Sequence, residues 1–218
     1  KDRKKKPFEE KESYKWFKGV EETNRLLGSS VRKIHIGDRE ADIYELFFMQ
    51  PWANSELLVR ARQHRKTASG PDLWKEISAL PASGKVTLPV PDETGKKKRD
   101  AETEIRYRKV EVLPPSNKTD RHSSVRLTAI EVREKGVGDE GQGIWWKLLT
   151  TLEVDNVESA MECVRYYTYR WLVERFHYTL KSGCKIEALQ LKRAEALQKA
   201  IVIYSLAAFK IMQLTYQS

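Results

Sequence analysis

Apolar positions in the first 62 residues change period twice. Over residues 7–27, Trp16, Val20 and Leu27 share one helical stripe, with Glu9 and Glu10 in the first turn, and a helix is predicted. Gly28-Ser29-Ser30 stops it. Val31, Ile34 and Ile36 then form a short β-branched run that predicts a buried strand, ending at Gly37-Asp38. A second helix carries Ile43, Leu46 and Phe47 and breaks at Pro51, and Leu57-Leu58-Val59 predicts another strand. Helix, strand, helix, strand make an α/β layer.

Between residues 63 and 143 the texture differs. Pro, Gly and Ser punctuate alternating runs at 85–90, 104–113 and 125–132. The last two runs switch parity midway, from Ile105 and Tyr107 to Val110 and Val112, and from Val125 and Leu127 to Ile130 and Val132. A bulge or a barrel-like bend is the expected cause, and the stretch is expected to be an inserted antiparallel β subdomain. Residues 144–151 return to a buried strand. A long helix over 157–181 and a last one over 193–217 follow, the last apolar almost all round, as suits the middle of a fold. The expected organisation is a core from residues 1–62 and 144–218, interrupted by the insertion at 63–143.

Composition narrows the partners. The 218 residues carry a formal charge of +9, which favours a polyanion, nucleic acid before membrane. A weaker competing reading is a protein-interaction module whose charge only confers solubility. Cys163 and Cys184 make neither a framework nor a metal spacing, and four scattered histidines argue against zinc. The apolar stretch at 200–209 is about half the ~20 residues that a bilayer span needs. No apolar run follows the basic start Lys1-Asp2-Arg3-Lys4-Lys5-Lys6, so no signal peptide is expected and the expected location is the cytoplasm, away from membranes.

The most informative segment runs from Tyr167 to Lys181. At about 100° per residue, Tyr169, Leu172, Val173, Phe176 and Leu180 share one side, the expected core face. Tyr167, Arg170, Trp171, Glu174, Tyr178 and Lys181 share the other. A solvated face explains the charges but not three aromatics among them. Aromatics with Arg and Lys suit stacking on bases and gripping phosphates, and a lone Glu suits a hard divalent cation.

Tyr167-x2-Arg170-x3-Glu174-x6-Lys181 resembles the Tyr-Arg-Glu-Lys signature of DDE transposases of bacterial insertion sequences, family-four (transposon-five-like) type. Gly37-Asp38-Arg39-Glu40-Ala41-Asp42-Ile43 resembles the segment bearing that family's second catalytic Asp. Lys11-Glu12-Ser13 with Trp16 resembles the helix before it, and Trp145-Trp146-Lys147-Leu148-Leu149-Thr150 the strand returning from the family's β insertion. The matches run through nearly the whole chain in order.

The resemblance implies an RNase-H-like α/β fold in which three carboxylates gather around two Mg²⁺ ions, with Mn²⁺ as a substitute, for phosphodiester hydrolysis and strand transfer at transposon ends. It makes Asp38 and Glu174 the second and third metal-binding carboxylates. For Asp38 the edge of a buried strand suits a ligand, and a helix N-cap is its competing role. Asp42 is read as structural. Tyr167 and Arg170 match residues holding the phosphate beside a flipped base, and Trp146 matches the indole on which that base stacks, or else is a core Trp, since Trp145 and Trp146 point to opposite faces. Arg60 matches a further phosphate contact, with Arg62 beside it; Trp171 on the stripe and the matching Lys181 complete the expected DNA-binding set. The partner implied is double-stranded DNA, with a homodimer in the full-length synaptic complex. No strand here matches the one bearing the family's first Asp, so three strands of the sheet are expected to be missing, leaving an unpaired edge. The chain is expected to be a fragment or a decayed gene, inactive alone. A DNA-binding remnant that occupies transposon ends without cutting them is the alternative.

Overall fold

The computed structural model describes residues 7–49, 52–91, 98–116, 122–138 and 143–217. The basic run at Lys1 to Lys6 and the helix break at Pro51 lie outside the described residues. The chain forms two compact units, Lys1–Tyr167 and Thr168–Ser218.

The first unit is built on one six-stranded mixed sheet. It opens with a 3-10 turn, Phe8–Glu10, and helix α1, Tyr14–Leu27. The turn stands where a continuous helix is predicted. It folds Phe8 edge-on against Tyr14 and Phe17, at 5.3 and 6.1 Å between ring centroids. Phe17 and Val20 face the core, and α1 ends where Gly28 takes a φ of 68°. The Lys33 ammonium donates to the Gly28 and Val31 carbonyls at 2.6 and 2.9 Å, placing a cation at the negative end of the helix.

Strand β1, Lys33–Gly37, runs parallel to β2, Ser55–Arg60, with the short helix α2, Tyr44–Phe48, in the crossover. A helix α3, Leu73–Ser78, precedes strands β3, Gly84–Pro91, β4, Lys98–Val112, and β5, Val125–Glu134. Strand β6, Trp145–Thr150, comes next, and helix α4, Val157–Thr168, ends the unit. The strand order is β1-β2-β6-β5-β4-β3, so residues 63–143 extend the sheet begun by β1 and β2. Pro89 is tolerated in β3 because that strand lies at an edge. The outer side of β1 pairs with no strand among the described residues.

Of the two expected causes of the parity switch, the bulge is absent between β4 and β5 and the bend is present. The β4–β5 ladder steps one for one from Thr103↔Glu134 to Val112↔Val125. Burial changes face instead: Ala101, Thr103 and Ile105 are buried on one side of β4, Val110 and Val112 on the other. The parity switch in the sequence therefore records a curled sheet that is covered on different faces along its length. One cluster joins Leu57, Val59, Val110, Val112, Leu127, Ala129 and Leu149 to α1, α2 and α3. The opposite face carries Leu58, Ile130, Val132, Trp146 and Leu148. There α4 supplies the cover, with Ala160, Cys163, Val164 and Tyr167 buried. Its first turn is capped by Asn156, whose side chain accepts from the Ser159 N–H at 2.8 Å.

Burial pushes the Cys163 thiol up to about 11, so little thiolate exists at neutral pH. Cys184 is half-buried. Iodoacetamide at pH 8 is expected to label Cys184 in the native protein and Cys163 only after denaturation; mass spectrometry of the digest checks this, and native labelling of Cys163 would count against its burial.

The second unit holds α5, Arg170–Tyr178, a π turn at Thr179–Gly183, a 3-10 turn at Ile186–Ala188, and α6, Ala194–Gln217. The single helix predicted over 157–181 breaks at Tyr169, where the Leu172 N–H takes the Tyr169 carbonyl, three residues back instead of four. The expected core stripe of this segment is largely uncovered: Tyr169, Leu172 and Val173 are exposed, and only Phe176 and Leu180 are partly buried. The same holds for α6, whose Ile201, Val202, Ile203, Leu206, Phe209, Ile211 and Leu214 are exposed. The count of apolar residues at 200–209 understates this helix. Over Ala194–Thr215 it is long and apolar enough to cross a membrane by length and composition, and a buried core helix meets the same test.

Candidate DNA and metal site

Because β1 and β2 are parallel, their C-terminal ends emerge together, and antiparallel β6 begins at that same end of the sheet. Asp38 leaves β1 directly after Gly37. Arg60 closes β2, and Trp145 and Trp146 open β6.

The turn after β1 is tight. A Cβ on Gly37 would stand 2.5 Å from the Cβ of Ala41, closer than two carbons can pack. Gly37→Ala is expected to displace the turn and to lower stability by about 1–3 kcal/mol. Urea denaturation measures it, and an unchanged midpoint would mean that the turn yields freely.

Asp38 takes the capping role: its Oδ1 accepts the Glu40 N–H at 2.9 Å, starting a 3-10 turn over Arg39–Ala41. Asp42 is structural, as expected of it. Its buried carboxylate accepts the Arg62 and Gln63 N–H groups through Oδ2, both at 2.7 Å, and pairs through Oδ1 with the guanidinium of Arg65. Arg65 is itself buried, 5.8 Å from the ring centroids of both Tyr44 and Phe47. The turn that bears Asp38 is thus tied to the segment that leaves β2.

The arginines differ. The Arg60 guanidinium donates to the Trp145 carbonyl at 3.3 Å and is half-buried. The Arg62 side chain is exposed, although its backbone is pinned. The two tryptophans also differ. Trp146 is 6% exposed and meets the buried ring of Tyr167 edge-on at 5.0 Å. In this arrangement Trp146 is a core residue with no free face on which a base could stack. Trp145 is the half-exposed indole. It donates its N–H to the fully buried Glu131 at 3.0 Å, with the Arg133 and Lys147 cations 4.3 and 4.8 Å from its ring. The doublet Trp145-Trp146 could not reveal which ring is buried, since alternation alone does not say which face of a curled sheet is covered.

In the second unit, Arg170, Trp171 and Glu174 lie on α5, and Lys181 in the π turn that follows. Arg170 and Glu174 form an ion pair one helical turn apart, with Glu174 well exposed. Lys181 pairs with Glu187 at 2.8 Å. The Lys181–Glu187 pair is exposed and contributes little to stability, whereas the Arg170 side chain is only 24% exposed.

The carboxylates of Asp38 and Glu174 are hard oxygen donors that suit Mg²⁺. Among the described residues, no group of three His, Cys, Asp or Glu side chains stands together as a metal cage. Arg65 is the residue that the sequence pattern does not single out. Arg65 follows Arg60 and Arg62 in one basic run, and nothing local distinguishes the buried arginine from the exposed one.

The transposase DDE domain family matches residues 11–209, a span that takes in both units, Asp38 and Glu174. The chain belongs to the transposase DDE domain family.

Proposed function

We propose that this chain is catalytic-domain sequence of a DNA transposase of the family-four insertion-sequence type, with an RNase-H-like core and the β insertion at 63–143. It acts on double-stranded DNA at transposon ends, as a homodimer in the full-length synaptic complex, in the cytoplasm. One observation carries this reading: Asp38, Arg60 and Arg62 gather at the carboxyl end of the parallel pair β1 and β2, where ligands of α/β sheets bind. Asp38 and Glu174 would hold the divalent metal, Mg²⁺ or Mn²⁺ in its place, which when bound activates the attacking oxygen and stabilises the leaving one. Arg60, Arg62, Arg170 and Lys181 neutralise phosphates, with Trp171 next to Arg170 on α5; Tyr167, buried against Trp146, takes the expected phosphate contact only if it leaves the core. Trp146 takes a stacking role only if it leaves the core.

A second reading, a DNA-binding remnant without cleavage, is favoured by the capping bond that engages Asp38 with the Glu40 N–H. Fluorescence anisotropy with labelled duplex DNA tests both readings. Affinity is expected to fall steeply with salt, to weaken in Arg170→Ala and to persist in Glu174→Ala. No Mg²⁺-dependent nicking is expected from this chain alone. Nicking that disappears in Glu174→Ala would overturn the remnant reading. Binding indifferent to salt would overturn the DNA reading altogether.

A further inference from the structure

We infer that Asp42 is a positioning residue for DNA contact, acting through the backbone of Arg62 and Gln63. The inference rests on the reading of Arg62 as a phosphate contact. Residues 61–63 follow β2 without regular secondary structure, and a free segment there would let the Arg62 side chain wander. The two oxygens of Asp42 divide the work. Oδ2 takes both the Arg62 and Gln63 N–H groups at 2.7 Å, while Oδ1 faces the Arg65 guanidinium. Arg65 in turn accepts the Leu73 N–H on its carbonyl at 3.0 Å, at the start of α3. One buried carboxylate therefore fixes the exit of β2 relative to the turn that bears Asp38, four residues earlier in the chain. Holding the backbone that carries a charged side chain in one place saves part of the ordering cost that binding would otherwise carry.

The division between oxygens allows the pin to be separated from the ion pair. Asp42→Asn with Arg65→Met removes both buried charges and leaves an amide oxygen to accept the two N–H groups. Asp42→Leu with Arg65→Met removes the charges and the pin together. Both are compared with the natural chain and with Arg62→Ala by anisotropy on labelled duplex DNA over a salt series, after circular dichroism shows that each is folded. The Asn/Met protein is expected to keep the natural affinity and salt slope. The Leu/Met protein is expected to match Arg62→Ala, with several-fold weaker binding and a log–log salt slope flatter by about one. A folded Leu/Met protein with natural affinity and slope overturns the inference and leaves the Arg62 contact standing. If Arg62→Ala itself binds like the natural chain, the phosphate role of Arg62 fails, and the inference with it. Should the Leu/Met protein not fold, Gln63→Pro takes its place with the same two outcomes, because it deletes one N–H donor and spares the ion pair.

Discussion

Asp42→Ala is expected to cost about 3–5 kcal/mol of folding stability, the range for breaking a buried pair by removing one partner. The Asp42 side chain is fully buried and that of Arg65 is 4% exposed. Removing the carboxylate strands the guanidinium between Tyr44 and Phe47 and leaves the Arg62 and Gln63 N–H groups without their acceptor. Pairing Asp42→Asn with Arg65→Met should recover most of the loss, since exchanging both charges for neutral groups of similar size is often neutral or better. Urea denaturation reads both. A single variant within about 1 kcal/mol of the natural chain would mean that water reaches the pair and screens it.

Trp146→Ala should be about as damaging, at roughly 3–5 kcal/mol for a large aromatic removed from a core. The ring fills the space between Val132, directly opposite on β5, and Tyr167 on α4. Thermal melts of Trp146→Ala and Trp145→Phe separate the two indoles. The first should unfold far earlier, and the second should lose mainly the hydrogen bond to Glu131. A Trp146→Ala protein as stable as the natural chain would return this ring to the surface and revive the stacking role that the family resemblance gives it.

Much of the architecture was legible from local pattern. The βαβ start and the return strand at β6 follow from periodicity, because each is decided within about ten residues of chain, whereas the roles of Asp38 and Glu174 came from the family resemblance alone. What escaped depends on contacts distant in sequence. Whether Trp145 or Trp146 is buried is decided by α4, and whether Arg60, Arg62 or Arg65 is buried by a carboxylate some twenty residues upstream. The parity switch in β4 and β5 was visible, but which of its two expected causes holds was not, since a bulge and a bend that changes the covered face leave the same trace in one dimension. The apolar stripes of α5 and α6 suggested burial, yet their described residues stand largely exposed. Hydrophobic periodicity reports that a face needs a cover and is silent about what supplies it.

The unbroken β4–β5 ladder also constrains how this hairpin can change length over generations. A bulge gives a strand somewhere to absorb an added residue, but here ten consecutive pairs leave no slack. A single insertion inside β5 would carry Leu127 and Ala129 to the side now occupied by Ile130 and Val132, spoiling both core layers at once. Drift in length is therefore confined to the connections between strands, and natural variants should differ there while the ladder between 103 and 134 keeps its count.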